Sequence, residues 1–171
     1  MKKFLKITAV LALAAMIASN ASAAESWGTL NQQVIELYQK KYYTKAVPLA
    51  QRALDVAESD YGSNSPETVL ALNNLAMLYK KTKKYKAAEP LYQRSLSISE
   101  KLVGPNHPDL GVPLNNLAMY YDSQKEYKKA DKLSERAIAI LDKAYGPKSP
   151  YVAQAHERYE AMKKARSTKS D

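Results

Sequence analysis

The 171-residue chain has no cysteine, one phenylalanine, one tryptophan, two histidines and five glycines. Without cysteine no disulfide can staple the fold and no thiol can be acylated, so packing alone must hold it. His107 and His156 lie far apart in sequence and have no thiolate beside them, which gives no metal-ligating constellation. There is no G-x-S-x-G elbow and no glycine-rich phosphate loop. Glu157 and Glu160 are a pair of acids on one solvated helix. An enzyme reading therefore has no residues to rest on, and neither a catalytic site, a metal nor a cofactor is expected. The chain also lacks a run of the ~20 apolar residues that a membrane helix needs. Its longest, Ile7–Ala18, falls short.

That run belongs to a different pattern. Three lysines in Met1–Lys6, the apolar stretch and the small-residue site Ala21-Ser22-Ala23 make the three parts of a secretory signal peptide of bacterial style. Cleavage near Ala23 is expected, with export to the periplasm of a Gram-negative cell or secretion from another. Removing 23 of 171 residues leaves 148, the size of one domain. The leader lysines hold three of the nine net positive charges, so the mature chain is at +6. Such a balance favours acidic partners and falls short of a nucleic-acid signature.

What the chain does have is a repeat of period 42. Shifting by that length lays Leu72–Leu91 (LNNLAMLYKKTKKYKAAEPL) on Leu114–Leu133 (LNNLAMYYDSQKEYKKADKL), and Leu30–Leu49 on both. QRALDV, QRSLSI and ERAIAI then coincide, as do the linkers YGSNSP, VGPNHP and YGPKSP. Within each period two apolar stripes run at helical spacing. Leu72, Leu75, Ala76 and Tyr79 make one, and Tyr85, Ala88, Leu91, Tyr92, Leu96 and Ser99 the other. Gly62, Gly104 and Gly146 follow the second helices, where a left-handed C-terminal residue is wanted. Pro66, Pro108 and Pro150 suit the first position of each next helix, behind Ser65, His107 and Ser149 as N-caps. Helix pairs of this kind bury their stripes only by stacking on one another.

The residues Leu72, Leu75, Ala76, Tyr79, Tyr85, Ala88, Tyr92, Ser95 and Leu96 resemble the signature of a tetratricopeptide repeat. The 42-residue period and the linker GPNHPD resemble the kinesin-light-chain class of that repeat. The resemblance implies an all-α superhelical solenoid of three repeats, about 27–66, 69–108 and 111–150, with a capping helix at 151–162 and a polar disordered tail at 163–171. Repeat one departs from the pattern, with Gln32-Gln33 and an irregular Glu36.

It also implies a concave groove lined by the first helix of each pair. The side turned from the stack carries Asn73, Asn74, Met77, Lys80 and Lys81 in repeat two and Asn115, Asn116, Met119, Asp122 and Ser123 in repeat three. Repeat one offers Asn31, Gln32, Ile35, Tyr38 and Gln39 there. Side-chain amides carry both donor and acceptor and can pair with a guest's main chain. Methionine adds adaptable apolar contact, and Lys80, Lys81 and Arg158 attract carboxylates. In the resembled family Asn74 and Asn116 hold the usual ligand-contacting position. Their alternative role is to bond the neighbouring repeat and set the stacking angle. On this basis the chain is expected to be a non-catalytic binding module, an adaptor or assembly factor of the cell envelope, holding an extended protein or peptide segment. A self-associating scaffold, or a subunit of an envelope enzyme complex, is the alternative.

Two further patterns remain. Arg52, Arg94 and Arg136 recur on the second helices with Glu58, Glu100 and Asp142 six residues on, as an inter-repeat ion ladder would. Most of the 13 tyrosines occupy repeat signature positions and belong in the core with their hydroxyls partnered, whereas Tyr38 and Tyr120 look freer.

Overall fold

The computed structural model describes residues 25–167. The expected leader lies outside them, as does the end of the tail. Among the described residues seven α-helices follow in order: α1 (Trp27–Gln39), α2 (Tyr43–Tyr61), α3 (Pro66–Lys81), α4 (Tyr85–Val103), α5 (Gly111–Ser123), α6 (Tyr127–Tyr145) and α7 (Pro150–Ser167). No strand occurs among the described residues. Each helix packs on the next, while α1 also touches α3 and α3 touches α5. The result is an all-α solenoid of three helix pairs closed by α7.

The repeated stripes are its core. Leu72, Leu75 and Ala76 on α3 and Leu114, Leu117 and Ala118 on α5 are at most 4% exposed. One apolar cluster joins repeats one and two through Val34, Ala50, Leu54, Leu72 and Leu75. A second joins repeats two and three through Ala76, Tyr92, Leu96, Leu114 and Leu117. Tyr79 and Leu91 pack against both, so the core runs on without a domain break.

The tight turn inside each pair uses chemistry that the sequence does not advertise. Lys41, Lys83 and Lys125 adopt φ of 62°, 61° and 63°, the left-handed region. Tyr42 N–H then bonds Leu37 O, and Lys41 N–H bonds Tyr38 O, the two bonds of a Schellman ending. Glycine or asparagine usually holds that position, and lysine does so here at all three turns. The expected left-handed glycines differ too. Gly62, Gly104 and Gly146 have φ of 79° to 90° but ψ of 157° to 159°. That is an extended conformation open essentially to glycine alone, and it turns the chain out of the second helix toward the next pair.

The linkers also diverge. Ser65 Oγ accepts from Thr68 N–H at 3.1 Å and Pro66 opens α3, as the sequence predicts. Pro108 instead opens a short 3-10 turn, Pro108–Leu110, with His107 Nδ1 accepting from Asp109 N–H. Pro113 supplies the reason: it has no N–H for the carbonyl four residues back, so the regular helix begins only at Gly111. At the other end α7 does not stop at Met162. It continues to Ser167, so residues 163–167 of the expected tail are helical, with Arg166 drawn in by Asp122 at 2.6 Å and Asp131 at 2.8 Å.

On the back of the solenoid Arg94 pairs with Glu58 at 2.5 Å and Arg136 with Glu100 at 2.6 Å. The arginine of each repeat thus reaches the acid of the one before it. Arg52 has no such repeat behind it and pairs with Glu25 at 3.1 Å. Glu36 is explained in the same way. Its equivalents Leu78 and Tyr120 are buried against the preceding repeat, whereas the face beyond α1 is solvated and Glu36 accepts there from Gln32 Nε2 at 3.2 Å.

Candidate functional site

The first helices present their unburied side along one face. On α3 a two-turn step places Leu70 and Met77 together, and the same step places Val112 and Met119 on α5. Ile35 holds the matching position on α1. These side chains stay open to solvent: Leu70 is 51% exposed, Val112 64%, Met119 48% and Ile35 37%, with Met77 half-buried. Leu70 and Val112 escape the sequence analysis because apolar residues in a helix's first turns read as core. Their spacing of seven from Met77 and Met119 is the signal that could have found them.

Beside the apolar row the asparagines form a ladder. Asn74 Nδ2 donates to Asn31 Oδ1 at 2.7 Å, and Asn116 Nδ2 to Asn73 Oδ1 at 3.4 Å. The register is 43 rather than 42, because adjacent first helices are offset by one position. Asn73 is held further, donating to Val69 O at 2.9 Å and to Ser95 Oγ at 2.6 Å. The asparagines thus join neighbouring repeats, the alternative role left open by the sequence. Each rung still leaves donor and acceptor capacity on Asn74 and Asn116, which are only half-buried. Asn115 is placed differently: its Nδ2 lies 3.6 Å from Met119 Sδ and no asparagine follows it.

The lower part of the face is cationic and aromatic. Lys80 is held below the usual lysine range, first by burial and then by Lys81, with Asp122 opposing. Lys81 lies over the rings of Tyr38 and Tyr43, at 6.0 and 5.7 Å from their centroids. Tyr38 packs on Tyr43 at 5.2 Å and stays half-buried. Gln32 is exposed near the solvated end. Tyr120, expected to be free, is only 3% exposed. Its ring meets that of Tyr92 at a tilt and that of Tyr121 edge-on, and its hydroxyl donates to Tyr85 O at 3.1 Å. A wheel drawn for α5 alone misses α4, which covers that side.

The face can therefore offer apolar contact, amides and positive charge in parallel rows, and it brings Asn73, Asn74, Met77, Lys80 and Lys81 together with Asn115, Asn116 and Met119. Gln32 and Tyr38 lie toward the first repeat. No helix among the described residues is long and apolar enough to cross a membrane.

A tetratricopeptide repeat family model matches residues 29–101 and again 70–143. No curated protein sequence matches the chain. Among solved structures the chain is similar to BtubC (BKLC) from P. vanneervenii, with 24% identity and a TM-score of 0.71, over 82% of this chain and 56% of that one. It is also similar to a single-substitution variant of the nearly identical TPR-like repeats of a Podosopora anserina protein assigned as a kinesin light chain. There the identity is 21% and the TM-score 0.67, over 77% of this chain and 63% of that one. The chain thus spans less than two thirds of either structure's length, and the likeness is one of fold.

Proposed function

The chain belongs to the tetratricopeptide repeat family, a fold that supports protein–protein interaction, and from that premise we propose that it is a non-catalytic adaptor or assembly factor of the bacterial cell envelope. It holds a protein segment along the inner face of α1, α3 and α5. The observation that carries this reading is the row Ile35, Leu70, Met77, Val112 and Met119. Exposed apolar side chains that recur at equivalent positions on successive first helices mark an interaction surface. Asn74 and Asn116 flank that row with spare amide groups, and Lys80 and Lys81 favour a segment carrying acidic side chains. Localisation follows from the leader pattern: the mature protein works outside the cytoplasm, with no nucleic acid and no membrane insertion.

Self-association by end-to-end stacking is the weaker reading, since the outer face of repeat one carries Gln32, Glu36 and Gln39, and that of α7 carries the exposed Glu157 and Lys164. The test is capture of envelope proteins on the mature chain and on the double variant Leu70→Glu/Val112→Glu. Both sites are exposed, so the variant should keep its helicity and melting temperature while its captured set is lost. An unchanged captured set would sink the groove reading. Growth of particle mass with concentration in light scattering would favour the scaffold, and a leader-bearing cytoplasmic product would refute export.

A further inference from the structure

Between α5, α6 and α7 lies a cavity of about 620 Å³, walled by Val112, Met119, Leu141, Tyr151 and Met162. It falls in the range of small-molecule sites, roughly 300–1,000 Å³. Its origin is a change of packing. α1 meets α3 and α3 meets α5 directly, but α7 leans on α6 and reaches α5 through Arg166 and Asp122. α7 takes the place of a fourth first helix but does not close on α5 as α5 does on α3, and the space between them stays open.

The charges around it are unbalanced. Asp122 is neutralised by Arg166 at 2.6 Å, and Asp109 is 72% exposed on the rim beside His107. Arg158 lines the cavity and makes no ion pair among the described residues. It also stands 43 positions after Asn115, where the ladder register would place the next asparagine. Asn115 Oδ1 accordingly receives no rung from α7, and the ladder ends where the cavity opens. The exposed cation of Arg158 and the amides of Asn115 and Gln154 thus border the apolar lining, with Val112 at 64% and Tyr151 at 62% exposure around them.

We propose that this cavity is a binding site for a small amphiphile bearing one carboxylate, its apolar body against Met119, Leu141 and Met162 and its carboxylate on Arg158. The site shares Val112, Asn115 and Met119 with the repeat-three end of the groove and is set apart by Gln154, Arg158 and Met162 of α7, so Met77, which lines the groove alone, tells the two proposals apart.

The chain carries its own reporters. In full-length protein labelled at the methionine methyls, Met119 and Met162 report the cavity and Met77 reports the groove. Decanoate should shift Met119 and Met162 saturably and leave Met77 in place. Arg158→Gln should weaken decanoate about tenfold, as loss of one charge-assisted contact does, and leave the affinity for decanol unchanged. Unchanged Met77 and Met162 signals in the ligand-free variant show that both the repeats and α7 are folded. The proposal is overturned if Met119 and Met162 do not move, if Met77 moves with them, or if decanoate and decanol bind alike. It is equally overturned if the cavity signals answer only to an apolar peptide with a free C-terminus, which would make the pocket part of a protein-docking surface.

Discussion

The joint between repeats two and three and the joint between repeat three and α7 are built from the same kinds of side chain in different arrangements. At the first, leucines interlock, Arg136 reaches back to Glu100, and Asn116 bonds Asn73. At the second, α7 buries fully only Val152, has Arg158 at the ladder position, and is tied down at its far end by Arg166. One joint is continuous and apolar, and the other is pinned at its ends over a cavity. The lesson is that stacking here depends on a matched pair on each side of the seam, and where one side stops matching, the packing opens.

The largest test of that contrast sets Leu72→Ala against Met162→Ala. Leu72 is fully buried between repeats, and truncating it should cost about 3 kcal/mol, while the half-buried Met162 should cost about 1 kcal/mol. Chemical denaturation of both variants measures the difference, and equal costs would mean that the terminal joint is as closed as the inner one. Next in size is Arg166→Gln. Its side chain is 15% exposed and faces Asp122 and Asp131 at 22% and 31%. Removing it strands two carboxylates, at an expected cost of about 2 kcal/mol, less than for a fully buried pair. Hydrogen exchange should rise along α7 before it rises in α3 or α5. Uniform exchange would show that α7 is not a separate opening unit.

Asn74→Ala removes one rung, and with water able to replace the bond at a half-buried site the loss should be about 1 kcal/mol. A loss near that size shows the ladder contributing to stacking, whereas none at all would leave Asn74 to ligand contact alone. The smallest effect is confined to alkaline solution. Tyr159 joins α7 to α6 through Glu135, and its phenol is pushed up to about 12, first by burial and then by Asp131. The folded state therefore favours the neutral phenol. That stabilisation is complete below the ordinary tyrosine range near pH ~10 and is lost as pH rises through about 12. The melting temperature of Tyr159→Phe should fall less steeply over that window than the parent's. Identical slopes would assign the alkaline loss to other tyrosines.

Much of this was legible in the residues. Leu72 and Leu114 belong to the seam because a period of 42 repeats them with the same neighbours, and Arg94 and Arg136 recur with acids for the same reason. The groove was legible as a face but not as a surface. Tyr120 lies on the outward arc of its own helix and is covered by α4, while Leu70 and Val112 look like core and are open. The Schellman lysines gave no signal, since nothing in a lysine announces a positive φ.

By itself the sequence determined the helix pairs, their number, their seam and the glycines that redirect the chain, because each is a local preference or a repeated apolar stripe. The tertiary structure alone decided the one-residue offset that pairs Asn74 with Asn31, the burial of Tyr120, the extension of α7 to Ser167 and the cavity beneath it. Those features depend on how one helix sits against another. A stripe of leucines specifies that two helices meet, but the angle and register at which they meet emerge only when every neighbour is in place.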